Sequence, residues 1–168
     1  VTKDIEWLRY DGFPVLESIA DFWVSRAEEN ENGEYDIINV VAADEYAENV
    51  DNNAFTNATA ITALRSAAKA ARELEYEPNP AWETVADGIP IPEFEDGTTR
   101  EHDDYNGEMI KQADVNLLSY PLNLVNDPDQ MRKNLDYYQQ RADPRGPAMT
   151  HSVYSVISSR LGNPDEAY

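Results

Sequence analysis

The 168 residues carry 33 acidic against 13 basic side chains, a formal net charge of −20, with 41% hydrophobic content and no cysteine. One domain with a real core fits that length and content, and the missing cysteine removes disulfides, thiolate zinc sites and a cysteine nucleophile. No basic cluster faces a phosphate backbone and no apolar run approaches the roughly 18 residues of a membrane span, so neither nucleic acid nor membrane is expected as a partner. The first residues, Val1 to Glu6, lack a basic segment followed by an apolar one. A soluble protein is expected, cytoplasmic or secreted, its compartment open because a signal can lie upstream if the chain is a piece of a longer secreted protein. Four lysines (Lys3, Lys69, Lys111, Lys133) against nine arginines, beside the acidic excess, suit a salt-adapted surface; an ordinary acidic enzyme is the alternative.

From Asp11 to Glu28, Phe13, Leu16, Ile19, Ala20, Phe22, Trp23 and Val24 recur at helical spacing, with Pro14 in the first turn. A turn over Asn30 to Gly33 precedes a strand-like run, Tyr35 to Val41. Ala54 to Leu74 is the longest expected helix, capped by one of Asp51, Asn52 and Asn53. Pro78 and Pro80 end that pattern, and a short helix is expected over Pro80 to Asp87. Ile89 to Asn106 is a proline- and acid-rich connection. Further helices are expected near Met109 to Ser119, Asp127 to Gln140 and Met149 to Leu161, with Gly162 as a stop and Asn163 to Glu166 opening another. The sum is an all-α chain.

Three segments concentrate chemistry. Ala42 to Asn57 packs four carboxylates and four amides around aromatic rings ahead of the long helix. Sugar hydroxyls need groups that both donate and accept, and glycosidic cleavage needs an acid to protonate the leaving oxygen. A bland reading makes the same acids a solvated loop or helix caps. Asp103 to Val115 places Lys111 and Gln112 side by side, a pair suited to hydroxyl recognition or, more plainly, an ion pair of Lys111 with Glu108 or Asp114. A calcium loop does not fit, because His102 and Ala113 stand where acids are needed. Asp143 to Ser152 holds Arg145, Gly146 and His151, the last either lining a site or finishing a helix turn; His102 is expected at the surface.

The run Asp44-Glu45-Tyr46, then Glu48-Asn49-Val50-Asp51-Asn52-Asn53-Ala54-Phe55-Thr56-Asn57, resembles the general-acid segment of glycoside hydrolase family 65. That family includes maltose, kojibiose and trehalose phosphorylases, acid trehalases, and α-glucosidases acting on kojibiose-like linkages or glucosylgalactosyl-hydroxylysine. Lys111-Gln112-Ala113-Asp114-Val115 resembles the family's glucose-binding segment. Gly146-Pro147-Ala148-Met149-Thr150 resembles its hydrolase branch rather than the phosphate-holding His and paired serines of its phosphorylases. The resemblance implies about half of an (α/α)6 barrel, residues 1–168 forming a partial catalytic domain. It implies Glu45 as general acid, with Lys111 and Gln112, joined by Tyr46, Tyr105 and Thr150, binding substrate. No cofactor or metal is expected. Asp44, Glu48 and Asp51 are close enough in sequence to keep an acid at Glu45 protonated, while Asn52, Asn53 and Asn57 orient the loop.

The implied reaction is inverting hydrolysis of an α-glucosidic bond in a disaccharide or glucosylated glycan, releasing glucose. Ala43 and Ala47 depart from common family residues, so acceptor contacts do not transfer. The general base is expected beyond Tyr168, and further substrate contacts upstream of Val1. The alternative is an inactive helical fragment that serves as a binding or assembly unit. Half a barrel leaves apolar faces open, here those of Phe22 and Trp23 in the first helix and Val153, Val156 and Ile157 in the last. A homodimer, or the rest of the catalytic domain, is expected to cover them.

Overall fold

The structure, a computed structural model, describes residues 3–168. It is mainly helical, and its strands, among the described residues, are confined to two short antiparallel hairpins. The chain gathers into two compact units, one from its start to Ile37 together with Thr59–Pro90, the other from Ile38–Ala58 and Ile91–Tyr168.

The first unit opens with α1 (Ile5–Trp7), whose N-terminus is capped by Asp4 accepting the Trp7 N–H at 3.0 Å. A π-helical turn, Leu8–Gly12, continues into α2 (Phe13–Arg26), with Pro14 just inside its start. β1 (Glu28–Glu29) and β2 (Tyr35–Asp36) flank a turn in which the Asn30 side-chain oxygen accepts the N–H groups of Asn32 and Glu34, each at 3.0 Å. Most of α3 (Ala54–Glu73) and all of α4 (Pro80–Gly88) complete this unit. Phe13 meets Tyr76 and Trp82 edge-on at 5.5 and 6.5 Å, and the Trp82 indole donates to Asp21 at 2.9 Å. The α3 side chains Leu64, Ala67, Ala68 and Ala71 are fully buried. The ion pairs Arg65–Asp87 and Arg72–Glu83 are half-exposed and therefore add little stability.

In the second unit β3 (Val40–Val41) pairs with β4 (Glu48–Val50) through a bulged register, and the acidic loop Ala42–Ala47 spans the gap between them. Asn53 caps α3 by accepting the Thr56 N–H at 2.8 Å. The long connection is irregular up to a 3₁₀ turn, Val115–Leu118, and is followed by α5 (Pro128–Gln139), α6 (Met149–Arg160) and the short α7 (Pro164–Ala167). Buried Asn134 on α5 pins the connection by accepting the Thr99 N–H and donating to the Thr99 hydroxyl, both at 3.0 Å, and the Tyr138 hydroxyl donates to the Thr99 carbonyl at 2.8 Å. One core cluster centres on Tyr105, Ile110, Val115, Leu118 and Tyr138, the other on Leu117, Met131, Leu135, Val153 and Ile157. Each such side chain contributes about 1.5–3 kcal/mol on leaving water.

Three expectations change. The helix read over Met109 to Ser119 is absent, because its amides are committed elsewhere: Ile110 N–H to the Arg141 carbonyl (2.9 Å), Lys111 N–H to Asp44 (2.7 Å) and Ala113 N–H to the Thr150 hydroxyl (3.0 Å). The strand-like run Tyr35 to Val41 divides between two hairpins, since Asn39 adopts φ +54° and turns the chain, its N–H held by Asp51 at 2.7 Å. Finally, Val153 and Ile157 of α6 are buried against Met131 and Leu135 within their own unit, so the last helix leaves no broad apolar face. On α2, by contrast, Val15, Ile19 and Phe22 are exposed on one stripe.

Candidate active site

The β3–β4 hairpin delivers the Ala42–Ala47 loop, and the Ile110–Ala142 bridge delivers residues 110–114 beside residues 142–146. Polar bonds join these loops, beside the packing of Ala43 and Ala142 against the cluster that holds Ala113. The Asp44 carboxylate accepts the N–H groups of Lys111 (2.7 Å) and Tyr46 (3.2 Å). Its own backbone N–H donates to the Asp114 carboxylate at 3.3 Å. The Gln112 amide donates to the Ala43 carbonyl at 2.6 Å. Beneath them the Asn53 amide nitrogen donates to both Asp114 oxygens and to the Glu101 carbonyl, each at 3.1 Å, tying the clasp to the start of α3.

On the outer side of this clasp the Glu45 carboxylate forms an ion pair with the Lys111 ammonium, both side chains partly open to solvent. The Lys111 pKa is raised, chiefly by that hydrogen bond. Glu45 is the partner of Lys111, in place of Glu108 or Asp114. Tyr46 is exposed and donates its hydroxyl to Asp143 at 3.0 Å, which raises the phenol's pKa. Asp143 in turn is held ionised, below the usual carboxylate range, by the Arg145 backbone N–H at 2.8 Å and by its guanidinium.

Glu45, Tyr46, Lys111 and Gln112 therefore come together. Thr150 and Tyr105 lie inside instead. The Thr150 hydroxyl is buried as acceptor for Ala113, and Tyr105 stacks on Tyr138 at 5.8 Å while donating to the Glu108 carbonyl at 2.7 Å. Both support the loops from below, because their polar atoms are committed to backbone. His151 sits exposed on α6 with its ring 6.4 Å from Tyr154, and His102 is half-buried, its pKa lowered by burial. Of the acids near Glu45 in sequence, Asp44 turns inward to the clasp and Asp51 accepts the Asn39 N–H. Asn52 donates to Asp103 at 2.9 Å, and Asn57 to Asn52 at 3.3 Å, so these amides brace the loop that precedes α3.

Behind the acidic loop is a cavity of about 270 Å³ lined by Asp44, Tyr46, Glu48, Glu101, His102 and Tyr105. Glu101 is fully buried and its oxygens make no well-aligned hydrogen bond; its interaction with Asp44 is a loose one. Burial, then the charges of Asp114 and Asp44, push the Glu101 pKa up to about 9, and burial likewise raises Asp114 and Asp44. Sequence reading singled out neither Glu101 nor the inward role of Asp114. Asp114 belongs to the Lys111 to Val115 run, but nothing in the local pattern marks Glu101. No group of three or more His, Cys, Asp or Glu among the described residues is arranged to hold a metal ion.

The model for the glycosyl hydrolase family 65 central catalytic domain matches residues 1–108 and 97–168. A kojibiose hydrolase of Mucilaginibacter mallensis is 52% identical over the whole of this chain and 25% of its own length. A mouse (Mus musculus) protein-glucosylgalactosylhydroxylysine glucosidase is 39% identical over 99% of the chain and 25% of its own length. A periplasmic/secreted acid trehalase of Candida glabrata is 38% identical over 95% of the chain and 14% of its own length. The chain thus spans about a quarter of the length of the first curated relatives it matches. A solved structure described as that of a kojibiose phosphorylase from the human microbiome superposes with a TM-score of 0.82 at 18% identity, covering 99% of this chain and 29% of that one. That likeness shows that the chain has the helical fold of a part of that structure. The chain belongs to glycosyl hydrolase family 65, of whose central catalytic domain it forms a part.

Proposed function

We propose that these residues carry the acid side of an α-glucosidase active site that hydrolyses a disaccharide or glucosylated glycan with inversion and releases glucose. The observation that carries the reading is the meeting of Glu45 and Lys111 at an open surface, with Gln112 beside them. Once Lys111 has left the ion pair for substrate, Glu45 takes up a proton from solvent and gives it to the glycosidic oxygen as the bond to the anomeric carbon breaks. Water adds its oxygen to that carbon from the opposite face, and its proton passes to a second carboxylate about 6.5–9.5 Å from the acid. That base is assigned to none of the described residues. Lys111 turns from Glu45 to a glucose hydroxyl, and the Gln112 amide oxygen accepts from a neighbouring one. Tyr46 borders the site, and Thr150 and Tyr105 hold its loops.

Hydrolysis rather than phosphorolysis is supported by Gly146 to Thr150, which offer no His with paired serines to hold phosphate. The test is product analysis on kojibiose, trehalose, nigerose and maltose with and without phosphate, by the enzyme containing these residues. Phosphate-independent release of β-glucose is expected, and glucose 1-phosphate would overturn the reading. A second reading, a binding or assembly unit without activity, is favoured by the exposed Val15, Ile19 and Phe22 stripe of α2, which a second copy of the chain could cover. The names of the fungal relatives place those proteins in the periplasm or outside the cell. No helix among the described residues is long and apolar enough to cross a membrane.

A further inference from the structure

We propose that Asp44 and Asp114 are positioning residues, a reciprocal clasp that holds Glu45 opposite Lys111; the catalytic consequence rests on the function proposed above, the geometric one does not. Each aspartate takes a backbone N–H from the other's loop. Asp114 accepts from Asp44 at 3.3 Å, and Asp44 accepts from Lys111 at 2.7 Å. Glu45 follows Asp44 directly and Lys111 begins the segment that Asp114 closes, so the two bonds fix the backbone origins of both side chains in the ion pair. The same Asp44 oxygen accepts the Tyr46 N–H at 3.2 Å, which grips the backbone on the far side of Glu45 as well.

The clasp has its own foundation. Asn53 spends its amide nitrogen on Asp114 and its oxygen on the Thr56 N–H and hydroxyl, both at 2.8 Å, so the Asp114 carboxylate is registered to the first turn of α3. Asp114 and Asp44 are almost completely buried, where a hydrogen bond to a charged or polar partner is strong and its loss is costly. Glu45 and Lys111 are long and half-exposed, and an ion pair of that kind has little intrinsic power to fix its own geometry. The rigidity has to come from the backbone beneath, and a displacement of about 1 Å at a catalytic group is enough to cost about 10²-fold in rate.

The test compares Asp114→Ala, Asp114→Asn, Asp44→Ala and Glu45→Gln. Amide and lysine Nζ shifts are read by NMR on the 168-residue chain, and turnover on the enzyme containing it. Asp114→Ala and Asp44→Ala are expected to remain helical by circular dichroism, to lose the Lys111 Nζ signature of pairing, and to lower kcat by at least about 10-fold with a smaller change in KM. Asp114→Asn keeps the volume and one acceptor, so it should recover part of both signals; it also serves if the alanine variants do not fold. Glu45→Gln should abolish the Nζ signature while leaving the Asp44 and Lys111 backbone amides unshifted. A folded Asp114→Ala or Asp44→Ala chain with the pairing signature intact would overturn the clasp. Pairing lost in those variants while Glu45→Gln keeps full turnover would instead overturn the catalytic reading and leave the clasp standing.

Discussion

Gly146 lies so close to the carbonyl oxygen of Lys111 that a Cβ at this position would come within 2.1 Å of it. The contact is backbone against backbone, which no rotamer change can relieve, and it seats the 143–146 turn against the loop that presents Lys111. Gly146→Ala is therefore expected to displace Lys111 and to destabilise the fold by about 1–3 kcal/mol, as overpacking of a close contact does. Urea denaturation and amide shifts at residues 110–112 measure it. Unchanged stability together with unmoved shifts would show that the turn yields freely.

Glu101 gives a pH signature. Its pKa in the folded chain is raised to about 9, far above the value of roughly 4.3 for a free Glu, so the folded state binds the proton more tightly than the unfolded one. Its contribution is fully present below pH about 4.3 and is lost as pH rises through the folded value, so stability should fall from pH 6 to pH 9.5. Glu101→Gln carries no titrating proton and should flatten that fall. Thermal melts of both proteins across this range decide the matter, and parallel curves would remove Glu101 as the cause.

Salt should stabilise the chain. With a net charge of −20, raising potassium chloride from about 0.1 M to 1 M shortens the Debye length from about 10 Å to 3 Å and screens the self-repulsion. The melting temperature is expected to rise, and a variant with neutralised surface acids should lose most of the rise. That control separates screening from the general strengthening of apolar burial by salt.

The α2 stripe predicts association. Val15, Ile19 and Phe22 are exposed on one face, and a two-fold contact through it is the simplest symmetric cover. Sedimentation at tens of micromolar should show a dimer that Phe22→Ser returns to monomer. A compact monomer of the unaltered chain under those conditions contradicts the proposal.

Much of the helical frame was legible in the sequence because α2, α3, α4, α5 and α6 each repeat apolar residues at helical spacing and most begin at a proline or a capping side chain. The Met109 to Ser119 segment misled for a physical reason. Its apolar residues Ile110, Val115 and Leu118 are buried as a helix face would be, yet its amides bond to side chains and carbonyls far away in sequence, which no local pattern reveals. The same holds at the site. The pairing of Glu45 with Lys111 spans 66 residues, and the carboxylate of Asp44, expected from sequence to help keep Glu45 protonated, takes the Lys111 N–H from a loop similarly distant in sequence. Thr150 and Tyr105, expected as sugar contacts from the segments they occupy, also bond to backbone groups: the Thr150 hydroxyl accepts the Ala113 N–H and the Tyr105 hydroxyl donates to the Glu108 carbonyl.

Turnover of the Glu45→Gln variant tests the central claim most directly, in the enzyme containing these residues and on kojibiose, trehalose, nigerose and maltose. The account predicts an unchanged circular dichroism spectrum and a loss of at least about 10²-fold in kcat, because removing a general acid typically costs that much. Full turnover by a folded Glu45→Gln enzyme would contradict the assignment of Glu45 as the acid.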